Sequence, residues 1–237
     1  VHVRRLRLRD FRSYTEVDLT LSPGVTTVLG RNGQGKTNLL EAVGYLATLS
    51  SHRVATDAPL VRDGAHEALV GAEVVRGDRR AVLEVVLGPG RATRARVNRA
   101  PVPRVREILG LLQVVLFAPE DLALVKGDPG ERRRYLDDLL VARRPRLAGV
   151  RADLDRVVRQ RTALLRSAAA LRRGPARAVP SATLATLAVW DEQLADVGAE
   201  LAAARVQLLD DLGPFLRPAY RDLAGGPTEA VTGTSVT

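Results

Sequence analysis

Gly30, Arg31, Asn32, Gly33, Gln34, Gly35, Lys36 and Thr37 are the residues whose types and spacing most directly suggest chemistry. They satisfy G-x-x-x-x-G-K-[ST], in which the glycines let the backbone turn several N–H groups inward as an anion-binding nest. A lysine at position 36 reaches the β- and γ-phosphates of a nucleotide, and the Thr37 hydroxyl is placed to ligate Mg²⁺. A dinucleotide-binding loop would need G-x-G-x-x-G, whereas the glycines here run G-x-x-G-x-G, and no acidic residue follows at the end of a second strand about 20 residues on. Of the 36 lysines and arginines only Lys36 and Lys126 are lysine. An arginine-rich chain thus keeps a slim ammonium in the one loop where a planar guanidinium would be too bulky.

A phosphate loop of this kind has to sit between a strand and a helix. Val25 to Leu29 is short and β-branched, which predicts a buried strand. After Thr37, residues Leu39, Leu40, Val43, Leu46, Ala47 and Leu49 recur at helical spacing, so the loop opens a helix whose positive end faces the phosphates. Upstream, Val3 to Leu8, and Val17, Leu19 and Leu21 alternating with Glu16, Asp18 and Thr20, predict two strands joined around Phe11, Arg12 and Ser13. The nucleotide then lies at the edge of this small sheet. Residues 50–66 are polar and turn-rich and suggest no role. Leu69 to Val75 and Ala81 to Leu87 alternate around Arg76, Gly77, Asp78 and Arg79, a hairpin pattern, and a further strand is expected near Ala95 to Asn98.

Gln113 to Phe117 predicts a second buried strand. Glu120 and Asp121 beyond it could be read as the Mg²⁺-holding acids of a Walker B site, but Ala118 and Pro119 intervene. Pro119, Glu120 and Asp121 fit better the first turn of a helix. From Asp128 the chain turns helical: Asp128, Pro129 and Glu131 resemble a capping box, and Arg132 to Arg143 continues it. Leu147, Val150, Leu154, Val157, Arg161, Leu164, Ala168 and Leu171 form one heptad seam, and Leu187, Trp190, Leu194, Val197, Leu201, Ala204 and Leu208 form another. Arg173 to Ser181, with Gly174, Pro175 and Pro180, is a reversal between them. The pattern predicts an antiparallel helical hairpin attached to an α/β lobe.

With 237 residues and 46% hydrophobic content, the chain can bury a substantial core. It has no cysteine, which excludes disulfides and thiolate metal sites, and no membrane-spanning run or signal segment, so a cytoplasmic protein is expected. The net charge of +9 favours a polyanionic partner, and the 3% aromatic content suits a duplex backbone or junction better than base stacking. Arg91, Arg94, Arg96, Arg99, Arg104 and Arg106 form the densest basic stretch. It reads either as a DNA-facing surface or as a solvated strand edge guarded by charge. Arg156, Arg159, Arg161, Arg166, Arg172 and Arg173 read mainly as a solvated helix face.

An ATP-binding lobe interrupted by a heptad hairpin is the plan of SMC and Rad50 type ABC ATPases. RLRLRDFRSY, GRNGQGKTNLLEAVGYLATLSSHR, VVLFAPEDLALVKGDPGERRRYLDDLL, RQRTALLR and WDEQLADVGAELAAARVQLL together resemble the RecF family of bacterial recombination and repair proteins. The resemblance implies an α/β P-loop ATPase lobe with a helical hairpin domain. Residues 1–118 would form its N-terminal part and 119–224 the helical domain, while 225–237 would start the remainder of the lobe. It implies ATP with Mg²⁺ at Gly30 to Thr37, an ATP-dependent homodimer, DNA gaps and single-strand/double-strand junctions as targets, and RecO and RecR as partners in loading RecA. Residues near Arg12 and Ser13 would approach the base or ribose. The family's signature motif and Walker B strand are not found in these residues, so the resemblance implies a chain that stops short of them. A weak DNA-dependent ATPase activity would then belong to the longer protein. The competing readings are a non-catalytic DNA-binding or adaptor module with a structural phosphate loop, and a self-contained kinase using Glu120 or Asp121.

Overall fold

Alternation in the first strand, β1 (His2–Phe11), sets the architecture: Leu6 and Leu8 are buried, while Arg5, Arg7 and Arg9 between them are exposed. In the computed structural model, which describes residues 1–173 and 179–224, β1 pairs antiparallel with β2 (Tyr14–Thr20) on one side and β3 (Ala68–Arg76) on the other. β4 (Arg79–Leu87), β5 (Arg94–Val97) and β6 (Ala100–Pro101) complete a six-stranded antiparallel sheet in the order β2-β1-β3-β4-β5-β6. Cross-strand neighbours form apolar rows on the inner face: Leu8, Val70, Val85 and Ala95 make one, and Leu6, Ala72 and Leu83 another. The β3–β4 hairpin turns at Gly77 and Asp78, where Gly77 has φ +56°. Asn98 and Arg99, both at positive φ, join β5 to β6, and the Asn98 side chain accepts the Val82 N–H at 2.9 Å. The far edge is a two-residue strand containing Pro101, too short to template pairing with another chain.

Helix α1 (Lys36–Thr48) contacts β3 and β4 and closes the core with Ala42, Tyr45 and Leu46. Its buried stripe is rotated from the one the apolar spacing predicts, since Tyr45 is buried and Leu40 is half exposed. Residues 50–66, whose composition suggests no role, strap the end of β1. Phe11 bridges Val61, the Arg12 N–H donates to the Leu60 carbonyl at 2.8 Å, and the Arg62 guanidinium pairs with Asp10 at 2.7 Å.

Two expected strands are corrected. Residues 25–29 form no strand, with Val25 98% and Leu29 87% exposed, and residues 113–117 are likewise unpaired, with Val115 and Phe117 exposed. Their β-branched composition is right for a doubly covered strand, but a strand also needs ladder partners, and none among the described residues lies alongside.

Beyond residue 118, a short 3-10 turn (Pro119–Leu122) leads into α2 (Ala123–Lys126) and then α3 (Pro129–Arg143). Asp128 caps α3 by accepting the Gly130 N–H at 2.6 Å, with Pro129 at the first helical position as expected. The chain divides into two compact units, Val1–Pro145 and the residues from Arg146 onward. In the second, α4 (Leu147–Arg173) and α5 (Ser181–Ala224) run antiparallel. Arg146 meets Glu200, and the Arg161 Nε donates to Asp191 at 2.5 Å. Leu147, Val157, Leu201 and Leu208 of the two predicted seams are buried. The reversal predicted between the seams falls largely on residues 174–178, and the expected start of a further lobe on 225–237, both outside the described residues. Among the described residues no helix is long and apolar enough to cross a membrane.

Candidate functional site

The glycine-rich loop runs from Gly30 to the head of α1. Gly33 and Gly35 have φ +82° and +85°, backbone angles that side chains disfavour, and they turn the chain sharply into the helix. No side chain caps α1, and no acid lies in its first turn, so its leading N–H groups and the helix dipole are left for an anionic ligand. Lys36 folds over the loop, its Nζ donating to the Gly30 carbonyl at 2.7 Å and the Arg31 carbonyl at 2.8 Å. An ammonium has three protons, so one remains for a phosphate oxygen. Arg31, Asn32, Gly33, Gln34 and Thr37 are exposed, and the loop opens to solvent.

The loop rests on the β1–β2 turn. A Cβ built on Gly35 would lie 2.6 Å from Ser13 Oγ and 3.1 Å from the Tyr14 phenol, so the turn and the loop are in close contact. Behind them stands Glu41 on α1, whose side chain is fully buried. It accepts from Arg12 Nε at 2.9 Å, Arg12 Nη2 at 2.5 Å, Ser51 Oγ at 2.5 Å and Arg53 Nη1 at 3.2 Å. Burial pushes the Glu41 carboxyl up, but the hydrogen bonds from Arg12 and Ser51 and the charges of Arg12 and Arg53 outweigh it. The net shift is below the ordinary glutamate value. Further along α1, burial and Asp57 push the Tyr45 phenol upward.

Residue spacing picks out Gly30 to Thr37 but does not point to Glu41, Ser51 or Arg53. One signal was available: Glu41 is the only acidic residue in α1, on a helix otherwise largely apolar. Asp121, which the sequence could assign to Mg²⁺ or to the first turn of a helix, bonds within that turn. The Asp121 carboxylate accepts the Ala118 N–H at 2.7 Å, which is the reciprocal bond of a helix start and agrees with that reading. The basic stretch on β5 is not a uniform positive surface. Arg94 pairs with Glu67 at 2.9 Å, and Arg96 stands opposite Glu84 in the ladder. Across the same outer face Arg5 makes a two-pronged contact with Asp18, and Arg4 pairs with Glu73. Among the described residues no group of three or more His, Cys, Asp or Glu could hold a metal ion.

A lysine-bearing glycine loop at the head of a helix, packed on an antiparallel sheet and followed by a helical hairpin, defines a P-loop nucleotide-binding lobe of the ABC/SMC head class. The comparisons agree, and residues 2–120 match the RecF/RecN/SMC N terminal domain, so the chain belongs to that family. Within it the chain is 61% identical over 225 residues to the DNA replication and repair protein RecF of Frankia alni, covering 95% of this chain and 58% of that protein. It is also 61% identical to RecF of Kineococcus radiotolerans, covering 95% and 56%. A solved structure of the recombination mediator protein RecF with ATPγS, in the RecFOR pathway, superimposes with a TM-score of 0.83 at 25% identity, over 94% of this chain and 58% of that one. The chain thus spans a little over half the length of the curated relatives it matches.

Proposed function

We propose that this chain is the ATP-binding N-terminal portion of a RecF-type DNA repair and recombination protein. The observation that carries the reading is the loop itself. Gly33 and Gly35, both at left-handed φ, carry the loop into the head of α1, which no side chain caps, and Lys36 is held over the loop with a proton to spare. ATP would place its β- and γ-phosphates on Gly30, Arg31, Asn32, Gly33, Gln34, Gly35 and Lys36, with Thr37 ligating Mg²⁺. The ion's other ligands would include phosphate oxygens and water. A bound Mg²⁺ would neutralise phosphate charge. The chain's own part is to bind and orient the triphosphate.

Residues 1–118 supply the N-terminal part of the ATPase lobe, residues 119–224 the helical domain, and 225–237 the approach to the rest of the lobe. The exposed apolar segments 25–29 and 113–117 support this layout, since strands of that composition belong inside a sheet covered on both faces. Hydrolysis, ATP-dependent dimerisation, DNA gaps and junctions as targets, and action with RecO and RecR on RecA belong to the longer protein. The +9 charge supports the DNA term through counterion release.

The test is nucleotide titration of the full-length protein. Lys36→Ala should abolish ATP binding and ATP-dependent dimerisation. Unchanged affinity would sink the reading and leave a structural phosphate loop in an adaptor module. Binding to gapped duplex should fall at least about tenfold between roughly 50 and 200 mM salt, and a flat response would remove DNA from the list.

A further inference from the structure

Glu41 is an expensive residue to place inside α1. A buried carboxylate with two arginines costs desolvation that a leucine at the same position would avoid, so such a cluster indicates a requirement for fixed geometry. What it fixes can be followed bond by bond. Arg12, held at both Nε and Nη2 by Glu41 and at Nη1 by the Pro59 carbonyl (3.0 Å), sits at φ +54°, a strained angle for a side-chain-bearing residue. The next residue, Ser13, accepts Asn38 Nδ2 at 3.0 Å. The Asn38 Oδ1 accepts Arg53 Nη1 at 3.0 Å, and the same Nη1 returns to Glu41. The ring closes through residues 12–13, 38, 41 and 53, drawn from three separate parts of the chain. Gly35 lies beneath Ser13 inside this frame, and Asn38 follows directly on Thr37.

We propose that Glu41 is a positioning residue for nucleotide binding, holding the Arg12–Ser13 turn against Gly35 and Asn38 so that the phosphate loop is set before the ligand arrives. The proposal rests on the ATP reading above. Because the preset loop serves the β-phosphate, the effect falls on ADP and ATP alike. A residue acting only on the γ-phosphate would separate the two nucleotides, and a residue acting only on folding would move neither affinity in the folded protein.

The experiment uses the full-length protein and measures Kd for ADP and ATP, together with Tm, in wild type, Glu41→Gln, Ser13→Ala and the double variant. Glu41→Gln should weaken both nucleotides by a common factor of about ten. Ser13→Ala, which removes no buried charge, should weaken both in the same direction, and the double variant should lose little beyond Glu41→Gln because the two act on one path. Unchanged Kd values with a lowered Tm, a loss confined to ATP, or full additivity would each overturn the proposal. If Glu41→Gln does not fold, Ser13→Ala decides alone, with unchanged affinities overturning it. A wild type that binds neither nucleotide, or a Lys36→Ala variant that binds both as wild type does, would instead refute the ATP reading.

Discussion

Gly33 and Gly35 share nearly the same backbone angle but not the same surroundings, and that contrast makes a quantitative test of how the loop is supported. A Cβ at Gly33 would meet nothing within 4 Å, whereas at Gly35 it would lie 2.6 Å from Ser13 Oγ and 3.1 Å from the Tyr14 ring. Gly33→Ala therefore pays only for placing an L-residue in the left-handed region, about 1–2 kcal/mol. If binding needs the loop in this conformation, that is about a 5- to 30-fold loss of affinity. Gly35→Ala carries the same strain plus an overpacking cost of about 1–3 kcal/mol, so its loss should be larger by about fivefold or more. The assay is calorimetric titration of the full-length protein with ADP, which avoids turnover. Ser13→Ala, expected to weaken binding on its own, should improve it in the Gly35→Ala background by removing the nearest clashing atom. Equal losses for the two glycines, or a failure of Ser13→Ala to restore affinity to Gly35→Ala, would refute the inference that the β1–β2 turn bears on the loop.

Three further outcomes follow from the same structure. The folded Glu41 carboxyl lies below its unfolded value, so its stabilisation is fully present above the unfolded value and is lost as pH falls through the folded value. The gap in urea midpoint between wild type and Glu41→Gln should accordingly be widest near neutrality and shrink in acid, and a gap that is constant with pH would contradict this. Asp128→Ala should cost about 1 kcal/mol by removing the α3 cap, while Asp128→Asn should be nearly silent, both read from thermal unfolding. Phe117→Ala in the full-length protein should destabilise by about 3–5 kcal/mol if residues 113–117 are covered there, against about 0.5 kcal/mol or less if Phe117 stays in solvent as it does here.

What could be read from the sequence was whatever local pattern decides. Period-two alternation in β1, β3 and β4 and the Gly77–Asp78 turn specify their hairpins without outside help. Asp128 and Pro129 start α3 by chemistry confined to one helical turn. The heptad seams place Leu147, Val157, Leu201 and Leu208 in the hairpin interface because helix periodicity is also local. The Glu41 ring is different in kind. Its members come from a turn, a helix and a strap separated by up to about forty residues, and nothing in the type or spacing of Arg12, Glu41 and Arg53 indicates that they converge. Only the single acid in an otherwise apolar helix marked the position, and a lone glutamate there is equally a solvated one until the strap is seen to cover it.

The two unpaired segments show where composition and burial part company. Val25, Leu29, Val115 and Phe117 are residues whose exposure costs free energy, because each could gain about 1.5–3 kcal/mol on burial. The sheet that does form excludes them for a definite reason. All of its pairings are antiparallel, while a strand leading into a phosphate loop conventionally joins a parallel ladder. The chain spans 58% and 56% of the length of the two RecF relatives named above. The helix side of the phosphate loop, its glycines and its Glu41 support are assembled within residues 1–60, while residues 25–29 on its strand side have no ladder partner among the described residues.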